Sequence, residues 1–194
     1  MFYIDRMRTP TRGFLAASMV VAATTLAGCS APLVPAWTNS PDPVVEPVFA
    51  SNDEALAAAI TSYEAYATMS NQITNEGGAD SERITEYVSS GYRAEVIAAF
   101  AKLEESGRIG SGASTIDTVS LVRYHDVAVG SASVRAYMCV DVTDVLMRDE
   151  EGAVTTTASR PNRIPLQVSF VSGPRESTRL IVEKEDLWSG TDFC

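Results

Sequence analysis

Histidine is almost missing from this chain: His125 is the only one in 194 residues, and cysteine appears three times. A lone imidazole excludes a multi-histidine metal centre, and a pair of thiols falls short of the four ligands that structural zinc takes. Neither Gly-x-Ser-x-Gly nor His-Glu-x-x-His occurs, so those local signatures of a serine hydrolase and a zinc protease are absent. Positive charge is scarce as well, with 15 Lys and Arg against 25 Asp and Glu and a net charge of −10. That balance argues against nucleic acid, which is met by a basic face, and against flat adsorption to anionic headgroups. Its plainest consequence is solubility. No apolar run approaches the ~20 residues that cross a bilayer, and no internal repeat is visible.

What is present begins with a short apolar stretch. Arg6, Arg8 and Arg12 precede it, with Asp5 the single acid, and it runs from about Gly13 to Leu26. A charged start, a short apolar core and small residues at its end form the secretory pattern. Met7 is an alternative start that would drop Asp5 and leave the pattern intact. Leu26-Ala27-Gly28-Cys29 closes the stretch and resembles a bacterial lipobox. The resemblance implies cleavage between Gly28 and Cys29 and a lipid on the Cys29 thiol. Residues 1–28 are then a lipoprotein signal peptide, and residues 29–50 a lipidated tether. Two acyl chains or more, palmitate among them, make a stable anchor where one is marginal. A plain signal peptide with a chance cysteine is the rival reading.

Cleavage removes three Arg and one Asp, leaving 12 basic and 24 acidic residues, a net −12. With Cys29 lipidated, Cys139 and Cys194 remain, and in an oxidising compartment they are an obvious pair. Such a bond would pin the C-terminus to a strand; two free thiols are the alternative. Pro32, Pro35, Pro41, Pro43 and Pro47 crowd the 21 residues from Ser30 to Ala50. Proline at that density favours extended polyproline II, at ~3.1 Å per residue a reach of roughly 65 Å. It is either a stalk that clears the headgroups or a linker of untuned length. Phe49 is placed against the domain edge.

Residues 51–194 read as one α+β domain. Ser51-Asn52-Asp53-Glu54 is a helix start. Leu56, Ala59, Ile60, Tyr63, Ala67 and Ile73 recur at helical spacing up to Gly77-Gly78. Ser81 to Val88 is a short second helix. Tyr92 to Glu105 is a third, with Val96, Ile97, Phe100 and Leu103 on its apolar face. From Ser114 the period becomes two. Strands are expected over Ile116–Tyr124, Val134–Thr143, Val154–Ala158, Ile164–Phe170 and Leu180–Leu187. In the second of these Val134, Ala136, Met138 and Val140 face inward, and Cys139 and Asp141 outward. The glycine run Gly107 to Gly112 follows a helix and precedes a strand, the reverse of a dinucleotide motif, and reads as a loop. Asp149-Glu150-Glu151-Gly152 lacks the alternating oxygen ligands of a calcium loop and reads as a turn. His125 sits at a strand end, with Asp126 directed to the other side.

Helices followed by an antiparallel meander define an α+β class, and the element order resembles the cystatin-like cone of nuclear transport factor 2 and ketosteroid isomerases. Tyr137-Met138-Cys139-Val140-Asp141, Arg160-Pro161-Asn162-Arg163-Ile164-Pro165 and Trp188-Ser189-Gly190-Thr191-Asp192-Phe193-Cys194 resemble uncharacterised lipoproteins of actinobacteria. The cone implies a pocket between sheet and helices, for which Tyr63, Tyr66, Phe100, Met138 and Phe170 are the candidates; core packing competes for the same residues. The resulting expectation is a non-catalytic protein, lipid-anchored through Cys29 on the extracytoplasmic face of the cell membrane and using no cofactor or metal. Its partner is an envelope protein or a small apolar ligand. An isomerase- or hydrolase-like enzyme with a pocket Asp and Tyr, and a dimerisation module, are the rivals.

Overall fold

The computed structural model describes residues 46–194. The signal stretch, Leu26 to Cys29 and most of the proline-rich tether lie outside the described residues. α1 spans Asn52–Asn75, with the Ser51 Oγ accepting from the Glu54 N–H at 3.1 Å. Ala55, Ala59, Tyr63, Tyr66 and Ile73 form its buried stripe. Tyr66, not Ala67, carries the middle of that stripe. The helix ends through Gly78, whose N–H donates to the Ile73 carbonyl at 2.8 Å. Gly78 has φ +94°, and a Cβ there would stand 2.3 Å from the Phe100 carbonyl oxygen, so only glycine lets the chain pass so close to the third helix.

Residues Ser81–Glu86 form a single 3-10 helix instead of an α-helix. α2 follows at Arg93–Glu105, burying Val96 and Phe100. Six strands come next: β1 Ile109–Ser111, β2 Thr115–Ala128, β3 Ser131–Asp141, β4 Leu146–Arg148, β5 Arg163–Ser172 and β6 Leu180–Leu187. The main sheet is antiparallel in the order β2-β3-β5-β6. It is open and curved, so the α+β expectation stands. The glycine run is a correction: Ile109–Ser111 is a strand, paired with β4 in a small second sheet. So is Val154–Ala158, where only a bridge between Val154 and Arg148 forms. Asp149 to Gly152 is the turn between them, closed by the Gly152 N–H on the Asp149 carbonyl at 3.0 Å.

The core lies between α1 and the concave face of the sheet. Val134, Ala136, Met138, Leu166, Val168, Phe170 and Val182 supply its sheet side. Burial of a side chain of this size is worth roughly 1.5–3 kcal/mol. β2 departs from strict alternation through three irregularities in its pairing with β3, and Thr118 takes φ 49° beside the first. Ile116, Val119, Leu121 and Tyr124 are consequently the β2 residues that pack on the core. The open edge of β6 is met by the segment before α2. Val182 N–H donates to the Tyr87 carbonyl at 2.9 Å, and Ser89 N–H to the Val182 carbonyl at 2.8 Å. This contact fixes where α2 starts relative to the sheet.

Candidate functional site

Two tyrosines on one turn of α1, Tyr63 and Tyr66, share a face because helical residues three apart are neighbours. Both aim at β6. Tyr63 Oη donates to Glu185 Oε1 at 2.6 Å, and Tyr66 Oη to Oε2 at 2.8 Å. Tyr92, held at the start of α2 by the contact with β6, donates to the same Oε2 at 3.1 Å. The three rings are at most 8% exposed. Burial, and then the Glu185 charge, raise all three phenols well above their ordinary pKa. They therefore stay protonated and act as donors. Chemically, the arrangement is a carboxylate that accepts from three internal donors, tying α1, the start of α2 and β6 together.

Glu185 is the residue that sequence reasoning missed. Strict alternation from the inward Leu180 and Val182 would send residue 185 to the outer face. A bulge intervenes: Ser169 pairs with Lys184, while the next residue, Phe170, pairs with Val182, leaving Glu183 as the extra residue. Alternation restarts with Glu185 opposite Val168, a buried residue of the inner face. The physical signal was the low apolar content after Val182, which marks no register.

All five pocket candidates belong to the buried core. Phe100, Met138 and Phe170 are buried members of the core, and Tyr63 packs edge-on against Phe170 at 6.5 Å between ring centres. None of the five lines either of two surface cavities, of about 440 and 710 Å³. Their burial supports core packing, the role that competes for the same residues. Asp141 and His125, the other titratable residues weighed from the sequence, are not part of the tyrosine cluster. Asp141 is on the surface, where hydrogen bonding to Thr143 lowers its pKa.

The outer face of the sheet carries the second cluster. Cys139 is disulfide-bonded to Cys194, with Cα atoms 5.5 Å apart. The bond draws the C-terminal tail over the strand, where Trp188 and Phe193 stack against Tyr137 at 4.7 and 5.6 Å between ring centres. Trp188 Nε1 donates to the Thr191 carbonyl at 2.9 Å, folding the tail on itself. Arg163 lies alongside, donating to Cys139 Sγ at 3.2 Å and pairing with Asp117. Cys139 is thus fully buried on the face that alternation assigns to solvent. A cavity of about 440 Å³ lies beside this tail, lined by Tyr137, Trp188, Phe193 and Thr118 among others. No helix among the described residues is long and apolar enough to cross a membrane, and no group of metal-ligating side chains occurs among them.

No protein-family model and no curated protein matches the chain. Among solved structures it is similar to the intermembrane space region of the chloroplast protein ARC6, with a TM-score of 0.49 and 11% identity over 70% of this chain and 97% of that one. It is similar also to a periplasmic fragment of TraM, with a TM-score of 0.43 and 11% identity over 71% of this chain and 96% of that fragment.

Proposed function

We propose that the chain is a non-catalytic lipoprotein, anchored by acyl chains on Cys29 to the extracytoplasmic face of a membrane, whose α+β domain engages another protein of the envelope. The observation that carries the reading is the Cys139–Cys194 bond, a linkage that persists in oxidising compartments and is rare in the cytosol. Leu26-Ala27-Gly28-Cys29 after a short apolar stretch supplies the matching address. The non-catalytic part is supported by the tyrosine cluster: each phenol already donates to Glu185, which leaves no free hydroxyl there for a substrate oxygen. Val127 and Val129, exposed at the tip of the β2–β3 hairpin, offer apolar surface to a partner. Dimerisation through the outer sheet face is disfavoured where the tail covers Tyr137 and Cys139.

Expression of the full chain in a bacterial host fed an alkyne analogue of palmitate tests the anchor. The expected result is a labelled protein that partitions into detergent, and a Cys29→Ala variant that is unlabelled and keeps the mass of its first 28 residues. Wild-type protein recovered unlabelled from the aqueous phase would sink the proposal.

A further inference from the structure

The larger surface cavity, about 710 Å³, opens between the residues that precede α2 and the β5–β6 turn. Its volume falls within the roughly 300–1,000 Å³ of small-molecule sites. Three guanidinium groups, of Arg93, Arg175 and Arg179, line it in a chain whose net charge is −10. Two of them have internal partners. Arg175 reaches Glu86 at 3.7 Å, and Arg179 donates to the Glu86 carbonyl at 3.2 Å while lying over the Tyr87 ring. Arg93 has none: its Nε is buried without a hydrogen-bond partner, and no carboxylate of the described residues pairs with it.

Arg93 is only partly buried, and of its guanidinium the Nε alone is buried without a partner; an unsatisfied buried polar atom calls for an explanation. The rest of the fork has no carboxylate of its own and suits an oxyanion from outside, because guanidinium N–H groups match phosphate and carboxylate oxygens in pairs. The remaining wall narrows the class. Ser89 and Ser90, just before Arg93 in the chain, also line the cavity, and serine hydroxyls suit a group with several acceptor oxygens. Glu86 and Glu176 also line the cavity. They disfavour a bare multivalent anion and favour a ligand that brings hydroxyl donors. Val88 and Ile181 close the floor with apolar surface.

We propose that this cavity binds a small phosphorylated polyol, with the phosphate on Arg93 and Arg179 and the ligand's hydroxyl groups on Glu86 and Glu176. The site is separate from the tyrosine cluster and does not depend on the lipid anchor. A soluble ester and a phospholipid headgroup share this chemistry; the acidic body, at a net charge of −10, favours the soluble ester over a site at an anionic membrane.

Isothermal titration calorimetry on the full chain in detergent, with the disulfide intact, tests it. The probes are glycerol 3-phosphate, inorganic phosphate and phosphatidylglycerol carried in micelles of the same detergent. Saturable binding of the ester, tighter than that of inorganic phosphate, is expected. Arg93→Gln should weaken it tenfold or more, as loss of a charge-assisted hydrogen bond implies, with the thermal midpoint unchanged. Arg179 is exposed, so Arg179→Gln should fold normally and weaken binding several-fold even if Arg93→Gln does not fold. No saturable heat up to about 10 mM ester, unchanged affinity in the folded variants, or heat from phosphatidylglycerol alone would each overturn the proposal.

Discussion

The Tyr63 hydroxyl meets Glu185 Oε1 at 2.6 Å across 122 residues of sequence, the longest-range side-chain hydrogen bond from α1 to the sheet. Tyr66 and Tyr92 bring two more donors to the same carboxylate. Removing the acceptor strands all three at once. Glu185→Ala should destabilise the domain by about 3 kcal/mol or more, since each buried donor left unsatisfied costs roughly 1–3 kcal/mol. Tyr63→Phe, which removes one donor and leaves the others in place, should cost only about 1 kcal/mol. Urea unfolding at pH 7 separates the two. A Glu185→Ala effect no larger than that of Tyr63→Phe would mean that water replaces the carboxylate.

The same cluster sets an alkaline limit. Burial and the nearby carboxylate raise the Tyr63, Tyr66 and Tyr92 phenols above their ordinary value of 10.0. In the unfolded chain they ionise at that ordinary value. A group whose folded-state pKa is raised binds its proton more tightly in the folded state, so its contribution is fully present below about pH 10 and declines above it. Thermal midpoints should fall from about pH 10 upward. Absorbance at 295 nm should show these three phenolates appearing only with unfolding. Smooth titration of every tyrosine in a still-folded protein would contradict this.

Reduction of the Cys139–Cys194 bond acts on the opposite face of the sheet. The bond closes a separation of 55 residues, for which chain entropy gives about 4 kcal/mol as an upper figure. Cys194→Ser, or a reductant, should lower stability toward that amount and release Trp188 from Tyr137. In a Trp37→Phe background, Trp188 is the one remaining tryptophan. Its emission should then shift to the red on reduction while far-ultraviolet circular dichroism is retained. An unshifted spectrum would show that aromatic packing holds the tail by itself.

Much of this architecture follows from local pattern. The Ser51 cap, the inward set Val134, Ala136 and Met138, and the last strand at Leu180–Leu187 rest on capping chemistry and strand periodicity. Features that depend on pairing were hidden. The bulge at Glu183 changes which face Glu185 occupies without altering composition, and a single inserted residue inverts every side chain beyond it. β1 is three residues long, with Gly110 at its centre and Gly112 after it, so it has no periodicity of its own and gains its identity only from β4. That Phe100, Met138 and Phe170 share one core is likewise a matter of tertiary packing, since they come from three separate elements. Arg93 was invisible for a related reason, because its lack of a partner is a property of three-dimensional surroundings.

Phe49 closes the account at the other end of the domain. Its ring is 2% exposed and lies edge-on to Tyr124 at 5.5 Å between centres. Its N–H donates to the Tyr124 Oη at 2.9 Å, and that hydroxyl donates to the Phe49 carbonyl at 3.1 Å. A tension applied along the chain from its N-terminal side therefore reaches β2 through Phe49 before it reaches α1. The strand is loaded sideways by an anchored aromatic, and the helix is shielded. In single-molecule pulling between the two termini, Phe49→Ala should lower the force at which the first residues of α1 unravel; an unchanged force would show that α1 carries the load itself.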